Sequence, residues 1–393
     1  MTSHLRTTAT CASLLVLFGS AALGQPYPKT VNGLDLHQFA SSHPASPAYG
    51  ASLPAGSDLD VYRLSAISHA EPPTYLATTD AGRPYTSSAT MFPVEDTCCG
   101  CNEYDCMCGP RWVVSADLLW MSRSRANLQT MIESPLGGPV ISESFNAREL
   151  MFDARAGYRA SFGYDLLDGR AVELTTFSVY DQPATANVAD TDMFFTFHNL
   201  SPAVATNAYT INYVSNLHNG EINWWLGEAW GIRPMVGARW IRIREEFSIV
   251  DTTGTSWNTF SEIENDLVGA QIGFKTRLWN GGNWFLVEAA FKSGIYGNNV
   301  DYRASVVDAA GVSQGSIIRS PSATSVAGEI TVSAVVHCCP WLAVRFGYHG
   351  LWMSEIGLAP NQANHSDIPT GIGTDHLGAL NYQGGFIGLE ANW

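Results

Sequence analysis

From residue 112 onward, apolar side chains recur at every second position, the spacing of a strand with two unlike faces. In Ala154 to Tyr164, Ala154, Ala156, Tyr158, Ala160, Phe162 and Tyr164 share one face and Arg155, Gly157, Arg159, Ser161 and Gly163 the other. In Leu267 to Leu278, Val268, Ala270, Ile272, Phe274 and Leu278 oppose Gly269, Gln271, Gly273, Lys275 and Arg277. In Leu342 to His349, Leu342, Val344, Phe346 and Tyr348 oppose Arg345, Gly347 and His349. The pattern predicts strands near 111–122, 148–165, 170–181, 208–226, 232–249, 265–279, 284–295, 325–338, 341–352 and 382–393.

Alternation alone does not say which face is wet. In a secreted β-sandwich the apolar face is the core, whereas in a membrane barrel it meets lipid. The connections discriminate. Those at 166–169, 227–231, 280–283 and 339–340 are tight, two of them carrying the hairpin pairs Asp168-Gly169 and Asn280-Gly281. Those at 123–147, 182–207, 250–264, 296–324 and 353–381 are long and polar. Strict alternation of short and long is the habit of an up-and-down barrel. Aromatic residues sort with it: Trp112, Trp225, Trp230, Trp279, Trp284, Trp341 and Trp393 fall at the tight-turn ends. Trp120, Tyr180, Tyr209, Trp240, Tyr296 and Trp352 fall at the others, as two interfacial girdles require. The expectation is an all-β fold, a closed antiparallel up-and-down transmembrane barrel of about ten strands, with eight or twelve as alternatives.

Composition narrows the rest. A formal charge of −15 excludes a nucleic-acid partner, whose phosphates need a basic face. Past the N-terminus no stretch approaches the ~20 apolar residues of a membrane helix, yet the chain holds 12 Trp, 15 Tyr and 17 Phe. Arg6, the apolar run Ala12 to Phe18 and the small residues Ala21, Ala22 and Gly24 read as an export signal over 1–24. Residues 25–97 are rich in Pro, Ser, Ala and Thr and read as an irregular periplasmic segment. A cysteine-rich lead, 98–110, precedes the barrel at 111–393. In an oxidising compartment Cys98, Cys99, Cys101, Cys106, Cys108, Cys338 and Cys339 read as disulfide formers, with a bridge from lead to barrel open to them. The lead lacks the paired C-x2-C of structural zinc, so neither metal nor cofactor is expected.

In this register Asp117, Arg155, Arg159, Glu173, Arg239, Lys275, Arg277, Glu288, Lys292, Glu329, Arg345 and Glu390 face the lumen. Both signs interleave there. About ten strands enclose a narrow space, so crossing ion pairs would either plug it or leave a slender path for small solutes. For catalysis, His365, Ser366 and Asp367, with Asp375 and His376 nearby, are short polar neighbours in one loop. No Gly-x-Ser-x-Gly or His-Glu-x-x-His is present, and no enzyme is expected.

The closing segment, with Ile387, Leu389, Ala391 and Trp393 alternating, resembles the C-terminal signature of outer-membrane barrels, which implies recognition by barrel-assembly machinery and residence in outer-membrane lipid. The block from Gly109 to Trp120 and the stretch from Gly237 to Phe247 are similar to the porin-like β-barrel proteins that occur in large paralogous sets in Gram-negative-type bacteria. That resemblance implies location and fold more than activity. Three roles follow as expectations: a structural or narrow porin-like barrel, a barrel displaying loops for binding or adhesion, or a secreted soluble sandwich.

Overall fold

The computed structural model describes residues 112–135, 141–166, 169–195, 205–282, 284–370, 372–373 and 377–393. The expected export signal, the Pro/Ser-rich segment, the cysteine lead, Asp168, Asn283, Asp375 and His376 lie outside the described residues.

The elements are β1 (Trp112–Arg123), β2 (Thr130–Pro135), β3 (Ile141–Asn146), β4 (Arg155–Asp165), β5 (Ala171–Phe195), β6 (Thr206–Trp225), β7 (Ile232–Asp251), β8 (Asn258–Asn280), β9 (Phe285–Val307), β10 (Ser313–Arg319), β11 (Ser322–Cys339), β12 (Leu342–Gly357), α1 (Ala359–His365), β13 (Ser366–Asp367), β14 (Ile372–Gly373) and β15 (Leu377–Asn392). Ten of them close a ring in the order β1, β4, β5, β6, β7, β8, β9, β11, β12, β15, every pairing antiparallel. The seam runs from Val113 opposite Asn392 to Arg123 opposite Tyr382. Beyond it, the Trp112 amide donates to the Trp393 carbonyl at 2.9 Å and the reverse bond is 3.1 Å. Closure satisfies the backbone polar groups of every wall strand without water, the condition for crossing hydrocarbon.

The expected strands match the ring, but three of the expected loops are largely strand. β5 runs for 25 residues and β8 and β9 for 23 each, about twice the roughly 9–11 that span a bilayer. The described strand residues within 182–207, 250–264 and 296–324 therefore extend the wall beyond the apolar band. Hairpin β2–β3 joins this extension through Ile132 and Glu133 against β5, and β10 pairs with the end of β9.

The wall changes its sense part-way up. Near the tight turns the outward face is apolar: Tyr158, Phe162, Phe274 and Phe346 are 37, 44, 40 and 45% exposed, joined by Leu174, Ile222, Val268, Ile272, Ile295 and Ile387. Above Trp120, Trp240 and Trp352 the outward face of β7 turns to Arg242, Arg244 and Glu246. These charges ladder with β8, Arg242 to Asp266 at 2.8 Å and Arg244 to Glu262 at 2.9 Å. The inward face of the same strand goes the other way, from Arg239 to Ile241, Ile243, Phe247 and Ile249, all buried. One half of the cylinder is oily outside and the other oily inside.

Three aromatic assignments are corrected by this parity. Trp225 faces inward with Ala171 and Met235, leaving its neighbour Trp224 to face out. Tyr209 and Tyr296 are also buried inside, where their rings fill core rather than a girdle. At the tip between β7 and β8, Asp251 gathers the amides of Thr253, Thr255 and Ser256 and the hydroxyl of Thr206 at 2.6–2.8 Å. Burial alone would raise this carboxyl, but the Thr206 hydroxyl and the amides of Ser256 and Thr253 outweigh it and hold it down to about 2. A depressed carboxyl contributes order above its ordinary value and loses it only as pH falls through the depressed one. The tip is thus expected to resist limited proteolysis to about pH 2–3, and Asp251→Ala to be nicked within 251–258 already at neutral pH, as mass spectrometry of the fragments reads.

Candidate functional site

Among the described residues the lumen brings together charged and polar side chains from distant strands, and it is built in layers. At the tight-turn end lies a polar vestibule of about 180 Å³. Lys275 pairs with Glu288 at 2.7 Å and Arg345 with Glu390 at 2.9 Å. Glu173 lines the same space and accepts from Asn223 Nδ2 at 3.3 Å. At the rim Arg277, itself exposed, reaches Glu228 at 3.5 Å.

Above the vestibule is a belt of buried charge. Arg159 holds Asp117 at 2.7 Å, and Arg239 holds Glu329 at 2.8 Å. Lys292 bridges Glu221 at 2.9 Å and Glu329 at 3.4 Å. Gln271 donates to Glu221 at 2.6 Å and to Asn223 at 2.8 Å, and His349 Nδ1 lies 3.0 Å from the Thr331 hydroxyl and 3.3 Å from Arg159 Nη1. Room for Asp117 depends on Gly388 opposite it, because a Cβ there would meet Asp117 Oδ1 at 2.2 Å.

Next comes an apolar septum. Leu119, Met121, Phe177, Val179, Leu217, Ile241, Ile243, Leu267, Leu351, Met353, Tyr382 and Phe386 pack as one buried cluster across the lumen, drawn from β1, β5, β6, β7, β8, β12 and β15. Close-packed protein interiors leave few voids larger than a water.

Beyond the septum lies the buried ion pair of Arg123 with Glu245, its guanidinium 4.3 Å from the Phe152 ring centroid and 4.7 Å from that of Tyr213. The chain after β12 then folds into the barrel mouth. Glu355 adopts φ +56 at the bulge, Asn265 exchanges two 2.8 Å hydrogen bonds with Gly357, and the Ala359 amide donates to Glu245 at 3.0 Å. Residues 359–363 of α1 are buried within the upper apolar core.

Ten of the sequence-derived lumen residues line the vestibule or belt, namely Asp117, Arg159, Glu173, Arg239, Lys275, Glu288, Lys292, Glu329, Arg345 and Glu390. Arg277 sits at the rim. Arg155 is a correction: it is the first residue of β4, opposite Met121 at the outer end of that strand, and its side chain is exposed instead of enclosed in the lumen. Sequence reading did not name Glu221, Glu245 or Arg123 for the lumen, and it placed Gln271 on the face of Lys275 and Arg277 without a role; period-2 counting puts Glu221 inward with Trp225 on β6, Glu245 inward with Arg239 on β7, and Arg123 opposite the outward Trp112 and Trp120 on β1. Among the described residues Cys338 and Cys339, beside the β11–β12 turn, form no disulfide, and the cysteines of the lead lie outside the described residues. The loop candidates are absorbed locally: His365 Nδ1 lies 2.9 Å from the Asn361 carbonyl, Ser366 donates to the Gln362 carbonyl at 2.6 Å, and Asp367 accepts the Thr370 amide at 3.0 Å. Among the described residues no cluster has the make-up of a metal site.

A closed antiparallel ring, apolar toward the outside and charged within over one bilayer's height, decides the architecture. The chain has the fold of an outer-membrane β-barrel. No protein-family model and no curated protein matches it. Among solved structures it is similar to the outer membrane protease OmpT from Escherichia coli, at 13% identity over 72% of this chain and 97% of that one, TM-score 0.42. It is also similar to the P. putida toluene transporter TodX, at 7% identity over 79% and 95%, TM-score 0.28. A Pseudomonas aeruginosa FadL homologue matches at 9% identity over 72% and 90%, TM-score 0.26. The likeness is one of fold alone.

Proposed function

We propose that this protein resides in the outer membrane as a non-conducting barrel whose extended outer half serves as a rigid scaffold for binding outside the cell. The observation that carries this reading is the septum: water and ions would have to cross a layer of close-packed leucine, isoleucine, methionine and aromatic side chains. An aqueous path needs polar lining or a dewetting constriction with space to refill, and close packing provides neither. The tight turns then lie in the periplasm and the long wall extensions outside, which suits an export signal at 1–24 and the alternating ending at Ile387, Leu389, Ala391 and Trp393 as the element read by assembly machinery. Cys338 and Cys339 then face the same compartment as the lead cysteines, and a bridge between them would clamp the lead to the barrel.

Purified protein in planar bilayers is expected to give no stepwise current. Discrete, reproducible steps from the wild-type chain would restore the narrow-pore role. A secreted sandwich predicts that the protein stays in solution without detergent; the exposed band of Leu174, Ile222, Val268, Ile272 and Ile295 favours extraction by detergent only.

A further inference from the structure

We propose that α1 is an exchangeable occupant of a chamber in the outer half of the barrel, and that the chamber's guest is an apolar small molecule bearing one hydrogen-bond donor. The chamber wall is set by strand residues independent of α1: Tyr209, Ile211, Phe247, Ile249, Val300 and Val306 are all buried and point inward from β6, β7 and β9. Its floor offers the Glu245 carboxylate as a charged acceptor, already bonded by Arg123 and the Tyr213 hydroxyl and now also by the Ala359 amide. An apolar room with one oriented carboxylate is the usual make-up of a small-molecule pocket, where polar groups fix orientation and the walls supply affinity.

The present occupant fits that room poorly. α1 has seven residues, its N-cap Leu358 makes no side-chain capping bond, and it carries Asn361 and Gln362 into an apolar core. Among the described residues Asn361 Oδ1, and Asn298 Oδ1 below the entering segment, are buried without a hydrogen-bond partner. Buried polar atoms left unpaired work against the bound position, and so does the left-handed Glu355 from which the segment enters. The Asn361 term disappears when α1 leaves, against loss of the Asn364 Nδ2 bond to Gln129 Oε1, and Glu245 then needs a new donor in place of the Ala359 amide. A guest hydroxyl or amine on an apolar frame replaces the Ala359 amide and returns the core its apolar contacts. The chamber lies beyond the septum, so this inference is separate from the question of conduction.

Hydrogen exchange read by mass spectrometry on the full chain in detergent tests it, with naphthol as probe and naphthalene as the comparator that lacks the donor. Naphthol is expected to speed exchange of the 358–366 amides roughly tenfold while the β9–β10 hairpin stays unchanged. Naphthalene is expected to do less, and Glu245→Gln to reduce the naphthol effect in a barrel that still shows heat-modifiable migration. Equal protection of 358–366 with and without naphthol overturns the proposal. So does acceleration spread evenly over the upper wall, and so does an equal response to naphthalene.

Discussion

Ile272→Arg is expected to cost the folded barrel about 2–4 kcal/mol in lipid vesicles, the range for a cation placed on the lipid face near the bilayer midplane. Ile272 is 67% exposed, mid-strand on β8, with Phe274 and Val268 beside it on the same face. The matched control lies across the change of sense: Arg244→Ile, on the outward face of β7 above Trp240, removes only the exposed pairs to Glu246 and Glu262. Exposed pairs contribute roughly 0–1 kcal/mol, so little change is expected there. Urea midpoints of vesicle-embedded protein, followed by tryptophan fluorescence, check both. A midpoint for Ile272→Arg no lower than that of Arg244→Ile would remove the lipid-facing band from the structure's interpretation.

The second large effect is expected from Glu329→Leu. Glu329 is buried and answers both Arg239 and Lys292, so its removal leaves two enclosed cations sharing one remaining carboxylate, Glu221. Breaking a buried pair by deleting one partner costs about 3–5 kcal/mol because the survivor is uncompensated. Replacing Arg239 with Met together with Glu329→Leu is expected to recover a good part of that loss, since apolar substitutes of similar volume are often neutral where an ion pair stood. The same unfolding assay reads it. A double variant as weak as the single one would mean that the belt contributes through packing and not through charge balance.

The ten strands were legible because period 2 survives whichever face is wet, as Ala154 to Tyr164 and Leu267 to Leu278 show. The wall's true height was not. Beyond Trp240 the alternation persists with its polarity exchanged, Ile241, Ile243 and Phe247 turning in while Arg242, Arg244 and Glu246 turn out. In 182–207 and 296–324 that exchange, with short polar residues on the wet side, lowers the average hydropathy and makes strand read as loop. The belt was mostly readable, because Arg and Lys inside apolar strands stand out on a period-2 count. Its completion by Glu221 was missed for want of the same count on β6, whereas Gln271 was counted on the face of Lys275 and Arg277 but carries no charge to single it out. The septum was not readable at all: Leu119 and Leu118 look alike in sequence, and only the tilt and stagger of the ring decide which inward residues meet at one height.

The seam between β1 and β15 has a kinetic consequence. The pairing that seals the ring joins segments at the two extremes of the described chain, so almost all of the polypeptide must be in place before the first strand finds its second neighbour. Until that docking β1 presents an unsatisfied edge, an invitation to pair with the wrong chain, and such long-range closure is slow. For the outer-membrane residence proposed above, that waiting edge calls for protection until the ring is sealed.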